Sequence, residues 1–128
     1  MNQISVDDVV YIHDHIIAAS GGLTGLRDKG QLKACLARPF QSAFGEETYP
    51  DLFEKAAALL DCIANDHPFA DGNKRTAMAS AVIFLVSYGI STDFTNQEYE
   101  DFMLHVVNDK PSIQEIANWL RQHGDIII

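Results

Sequence analysis

The stretch "LFEKAAALLDCIANDHPFADGNKRTAMASAVIFLVSYG", Leu52 to Gly89, holds the two most apolar segments of the 128-residue chain, with a polar loop between them. In "LFEKAAALLDCIA" and "TAMASAVIFLVSYG" the apolar residues run nearly all the way round a helix. That is the pattern of helices buried on most sides. Asp51 precedes the first as an N-cap, with Glu54 three residues on. Gly89 stops the second. The ten-residue stretch "AMASAVIFLV" suits a buried core helix and falls short of the ~18 residues needed to span a membrane. The loop between the helices brings a histidine, an aspartate, an asparagine, a lysine and an arginine together within nine residues, His67 to Arg75.

The flanking sequence is helical as well. "SVDDVVYIHDHIIAAS" opens on a capping box, Ser5 with Asp8, and Val9, Ile12 and Ile16 follow at helical spacing. It should end at Ser20 to Gly22, where glycines supply positive φ. After the loop "GGLTGLRDKG", "QLKACLARPF" predicts a second helix with Leu32, Cys35 and Leu36 on one face and a stop before Pro39. "QSAFGEETYP" has no helical period and predicts an irregular excursion or a short hairpin. Thr95 with Glu98 and Ser112 with Glu115 open two further helices. The tail "DIII" is β-prone but too short to assign. With no repeats or linkers, residues 1–128 are expected to form a single domain: a compact all-α bundle with two buried central helices.

Eighteen acidic residues against nine Lys and Arg give a net charge of −9. That argues against nucleic acid as a partner, because duplex binding needs a basic face. A small local anion site is still allowed. Cys35 and Cys62 are well separated in apolar helical contexts, a poor disulfide framework. They are expected to be buried thiols in a reducing compartment. "MNQISVDDVV" lacks the basic and apolar regions of a signal peptide. A cytoplasmic protein without membrane contact is expected.

The chemistry of the loop follows from its address. It leads into the N-terminus of the second buried helix, where free N–H groups and the helix dipole favour an anion such as phosphate. Gly72 lets backbone approach a ligand without a Cβ in the way. Lys74 and Arg75 place two cations in the first helical turn, where they oppose the dipole unless an anion binds. His67 is of the residue type that most often serves as a general base, able to accept a proton. Asp71 is a hard oxygen ligand suited to Mg²⁺, which commonly arrives with a phosphate. Phe69 has no such chemistry and is expected to plug into the core and anchor the loop. Together these are the parts of phosphoryl or nucleotidyl transfer. Each has a plainer reading taken singly: a histidine cap, an Asp-Gly turn, a solvated basic face. Their concentration between two buried helices favours the functional one. A P-loop is excluded, since "DGNKRT" lacks the Gly-Lys-Ser/Thr junction.

"HPFADGNKR", His67 to Arg75, resembles the signature of the Fic/Doc family, H-x-F-x-[D/E]-[G/A]-N-[G/K]-R. "IHDHI", "GGLTGLRDKGQLKACLARPFQSAFGEETYPDLFEKAAALL" and "NKRTAMASAVIFL" extend the likeness to Doc-type toxins over most of the chain. The resemblance implies a helical Fic fold using a nucleoside triphosphate and Mg²⁺. His67 would be the general base and Asp71 the Mg²⁺ ligand. Gly72 and Asn73 would line a phosphate nest, Lys74 and Arg75 would contact nucleotide phosphates, and "QSAFGEETYP" would be the flap that aligns the target segment by backbone pairing. Fic enzymes, which transfer AMP, usually carry Gly at the position of Lys74 and Arg at that of Met78. The lysine is associated in Doc with presentation of the γ-phosphate, and so with a protein kinase acting on elongation factor Tu and arresting translation. "HPF" and "DGN" are closer to Fic, so AMP transfer stays open beside the kinase reading, as does a non-catalytic anion-binding module. The inhibitory pattern [S/T]-x-x-x-E-[G/N] is not found; Ser42 to Glu46 comes nearest and is followed by Glu47. Control is then expected from a separate antitoxin.

Three further readings complete the sequence. His13 and His15 point about 200° apart on a helix and cannot share an ion; the family shows "HD" here too, implying a structural or edge-of-site role. His105 and His123 are expected at the surface, and Trp119 in the core. Arg27 is left between pairing with Asp28 and reaching a target.

Overall fold

Helix starts are set by side-chain caps. In the computed structural model, which describes residues 4–126, α1 (Val6–Ser20) begins with the Ser5/Asp8 capping box, both arms formed, and ends at Gly21 with φ 79°. Asp28 caps α2 (Lys29–Ala37), Asp51 caps α3 (Leu52–Asp66), Thr95 caps α5 (Asn96–Asp109) with its Glu98 box, and Ser112 caps α6 (Ile113–Gln122). α4 (Asn73–Ser87) is the exception, with Gly72 at its N-cap and no side-chain cap. The second helix differs from its expected span. It starts earlier, at Lys29, and tightens into a 3₁₀ turn over Arg38–Phe40. Pro39 has no N–H to continue the α-helical ladder.

The two apolar segments pack against each other as the centre of the bundle. α3 lies against α4 and α6, and α4 also against α1. Ala56, Ala57, Ala58 and Ala64 of α3 and Ala77 and Ala81 of α4 are fully buried. Leu59, Leu60, Ile63, Phe84 and Leu85 complete the middle of the core. Close-packed interiors of this kind are stiff, so segments joined to both helices inherit fixed positions.

Two small hairpins complete the fold. β1 (Ser42–Ala43) and β2 (Glu46–Glu47) pair antiparallel across Phe44 and Gly45, whose φ of 53° and 80° suit a two-residue hairpin turn. Of the two forms allowed for "QSAFGEETYP", the hairpin is the one that forms. The "DIII" tail is ordered through Ile126: β4 (Gly124–Ile126) pairs antiparallel with β3 (Ile90–Thr92). A partner strand supplied by the end of α4 resolves what three residues could not declare locally. The N-terminal "MNQ" of the segment read against a signal peptide, and the last two residues of "DIII", lie outside the described residues. Among the described residues no helix is long and apolar enough to cross a membrane.

The cysteines depart from expectation. Cys35 and Cys62, 27 positions apart in sequence, are joined as a disulfide with Cα atoms 5.3 Å apart. Packing of α2 on α3 brings together residues whose spacing gave no framework, at a separation that suits the bond. The reading of both as free thiols is thereby corrected.

Candidate active site

The polar loop is fastened on three sides. α3 ends at Asp66, and His67 follows in the left-handed region, φ 51° and ψ 60°, exposed to solvent. Arg27 Nε donates to the His67 carbonyl at 2.9 Å, and Nη2 to that of Asp66 at 3.2 Å and to that of His67. A cation on the last carbonyls satisfies them and complements the negative end of the helix. Sequence left Arg27 between Asp28 and a target; here it closes α3 and fixes the backbone of His67.

The loop also pairs with the Gly21–Asp28 segment. The Pro68 carbonyl accepts from Arg27 N (2.8 Å) and Asp28 N (2.9 Å), and Ala70 N donates to the Gly25 carbonyl at 3.1 Å. Leu26 and Phe69 form an antiparallel bridge. Phe69 is 1% exposed and lies in the core cluster. Its ring stacks on the buried His13, centroids 3.9 Å apart and planes within 9°. His13 Nε2 lies 2.7 Å from the carbonyl oxygen of Asp71, a hydrogen bond in which the ring nitrogen donates. α1 therefore holds the loop through one histidine, while His15 is exposed and packs edge-on to Tyr11.

Asn73 supplies the third fastening. Its side chain accepts from Phe69 N and donates to Phe69 O, both at 3.0 Å, and is buried. What Asn73 offers a ligand is its backbone N–H. Asp71 is exposed; Oδ1 accepts from Gly72 N at 2.9 Å and Oδ2 from Leu23 N at 3.2 Å. Each carboxylate oxygen carries two lone pairs, so capacity for a cation remains. One carboxylate beside a phosphate site is also a donor set that Mg²⁺ uses. Gly22 escaped the sequence reading. A Cβ there would come within 2.7 Å of Asp71 Oδ2, which the double glycine of "SGG" signals only as a helix stop.

Gly72 takes φ 76° and starts α4 without a side-chain cap. A Cβ at Gly72 would meet Ile17 Cδ1 at 3.1 Å. The N–H groups of Asn73, Lys74 and Arg75 have no protein partner among the described residues. Lys74 and Arg75 are exposed in that first turn, and neither forms an ion pair among the described residues. Arg75 hydrogen-bonds the Tyr99 side chain. Met78 is 4% exposed and belongs to the core, so nothing cationic stands one turn further in. An uncompensated helix N-terminus with two cations favours a negative charge beside it. His67 stands at the other edge of the same rigid loop.

The remaining histidines are engaged elsewhere. His105 is held by Glu115 (2.5 Å) and Asp109 (2.6 Å), and its pKa is raised by those two hydrogen bonds, Glu115 first. His123 is not a free surface residue: it stacks on Trp119 at 4.0 Å, and its pKa is raised by its hydrogen bond to the Trp119 carbonyl and by Glu98.

Residues 3–85 match the Fic/DOC family. The chain belongs to the Fic/Doc family. It is 35% identical over 122 residues to the protein kinase doc of Escherichia phage P1, covering 95% of both chains. It is 43% identical over 101 residues to the toxin Doc of Mycolicibacterium smegmatis, covering 77% of this chain and 78% of that one. Family membership agrees with the resemblance carried by "HPFADGNKR", and the helical bundle with its hairpin agrees with the fold that it implied.

Proposed function

We propose that this chain is a Doc-like toxin that transfers the γ-phosphoryl group of a nucleoside triphosphate to a Ser or Thr hydroxyl of a target protein. The observation that carries it is the N-terminus of α4. Alone among the described α-helices it lacks a side-chain cap, and it carries Lys74 and Arg75 instead of a carboxylate. The kinase named among the relatives supports the choice of reaction.

The nucleotide phosphates lie beside Gly72, against the open backbone N–H groups of Asn73, Lys74 and Arg75, with the Lys74 and Arg75 side chains neutralising their charge. His67, at the loop's other edge, takes the proton of the acceptor hydroxyl as its oxygen bonds to the γ-phosphorus. The bond from that phosphorus to the β–γ bridging oxygen breaks, and the nucleoside diphosphate leaves. Asp71 would hold Mg²⁺, which supplies charge neutralisation on the phosphates when bound. Phe69, Asn73 and Arg27 keep base and phosphate site in fixed relation. The β1–β2 hairpin is the flap that aligns the acceptor segment.

By resemblance the acceptor is elongation factor Tu, the outcome is arrest of translation in the cytoplasm, and a cognate antitoxin restrains the enzyme. Residues 1–128 act as a single domain. Intact-mass measurement of purified elongation factor Tu after incubation with ATP and the chain tests the reaction. A gain of one phosphate is expected. A gain of AMP replaces the kinase by nucleotidyl transfer, and no gain removes this acceptor. Expression without antitoxin tests the catalytic account separately: His67→Ala is expected to relieve growth inhibition, and undiminished inhibition would leave only a binding module.

A further inference from the structure

Lys55 is 6% exposed, on a face of α3 that is otherwise apolar. An ammonium taken out of water needs partners. Its Nζ finds them all in the segment before α3: the Glu47 carboxylate at 2.9 Å, the Tyr49 carbonyl, and the ring of Phe40, centroid at 6.0 Å. Phe40 ends the 3₁₀ turn that enters the β1–β2 hairpin, Glu47 closes β2, and Tyr49 lies on the way out. One side chain of α3 thus touches β2 and the segments that lead into and out of the hairpin. Arg38, in the 3₁₀ turn, adds a second point by pairing with Asp61 of α3 at 2.9 Å.

The hairpin itself has little to hold it. Its strands pair over Ser42↔Glu47 and Ala43↔Glu46, and Thr48 N donates to the Gln41 carbonyl at 2.9 Å. The tip residue Phe44 is fully exposed. A ribbon this short has no independent stability, so its position is set by what pins its base.

We infer that Lys55 is a positioning residue for the protein acceptor. It fixes the hairpin to the same helix whose end carries His67, roughly 18 Å further along one rigid axis at 1.5 Å per residue. A segment paired to the hairpin is thereby placed relative to the base by a single element. This rests on the reading of the hairpin as the acceptor-aligning flap.

Lys55→Met keeps the length and burial of the side chain and removes its charge. Millisecond hydrogen exchange in the intact chain is expected to show the Thr48 amide exchanging at least tenfold faster in this variant, with core amides of α3 unchanged. Transfer from γ-labelled ATP to proteins of a clarified bacterial lysate is then measured against lysate concentration. The half-saturating concentration is expected to rise several-fold while maximal rate and KM for ATP hold. Lys55→Arg is expected to recover most of the effect, and Glu47→Gln to give a smaller loss of the same kind. Unchanged Thr48 exchange overturns the proposal. So does faster exchange with an unchanged half-saturating concentration, or a loss confined to maximal rate. If the parent chain labels no protein, the kinase reading fails on its own and the exchange measurement still decides whether Lys55 holds the hairpin.

Discussion

The N-terminus of α4 and the α5–α6 face are built from the same materials to opposite ends. On α5 and α6 each helix start is capped by Thr95 or Ser112, and His105 and His123 each have a carboxylate partner. Even the second arm of the Ser112 box is given up, because Glu115 is turned toward His105. At α4 the cap is missing, the first N–H groups are open, and two cations stand where a helix prefers acids. A folded chain ordinarily satisfies its own polar groups. The contrast between a satisfied face and an open one is what the proposed phosphate site rests on.

The largest effect is expected at His67. Replacing it with Ala is expected to lower the rate of phosphoryl transfer by about 10²–10⁴-fold, the range of a lost general base. The exposed side chain makes no hydrogen bond among the described residues, so thermal unfolding should change little. A variant that unfolds early would instead make His67 part of the scaffold.

Next in size is the disulfide. Closing the loop between Cys35 and Cys62 is expected to add about 3 kcal/mol. Chemical denaturation of the oxidised protein with and without a thiol reductant measures it. The proposed cytoplasmic setting keeps thiols reduced, so equal midpoints would show that the fold stands on packing alone.

Gly72→Ala is expected to cost more than about 1 kcal/mol, since Ala resists positive φ and its Cβ would press on Ile17. It should also weaken ATP binding. Thr95→Ala, by contrast, should cost about 1 kcal/mol of stability and leave ATP binding untouched. If the two variants affect ATP alike, the contrast between the helix ends has no functional content.

The smallest effect is a pH slope. The folded pKa of His105 is raised above its ordinary value near 6.5 by Glu115 and Asp109. Its contribution to stability is therefore fully present below that value and lost as pH rises through the raised one. Denaturation midpoints of the parent should fall across that window, and those of His105→Gln should fall less.

Much of this was legible locally. Asp51, Thr95 and Ser112 announced their helices because a cap acts within four residues. "LFEKAAALLDCIA" and "TAMASAVIFLVSYG" announced burial through their apolar circumference. Phe69 was readable as an anchor because a phenylalanine has no use in a polar loop except as a plug. Arg27, Gly22 and Lys55 were not legible in the same way. Arg27 and Gly22 act on residues far away in sequence, Arg27 on the carbonyls of Asp66 and His67 and Gly22 by making room for Asp71, while Lys55 acts within its own region but on a hairpin whose form was open.

The two buried helices, their polar junction and the residue types gathered there are written in local pattern, because periodicity and capping are short-range effects. How the junction is held depends on tertiary packing. Stacking of His13 on Phe69, closure of α3 by Arg27, and the bond between Cys35 and Cys62 all depend on which helices pack together. Contacts of that kind join residues with no spacing in common, so no local pattern records them.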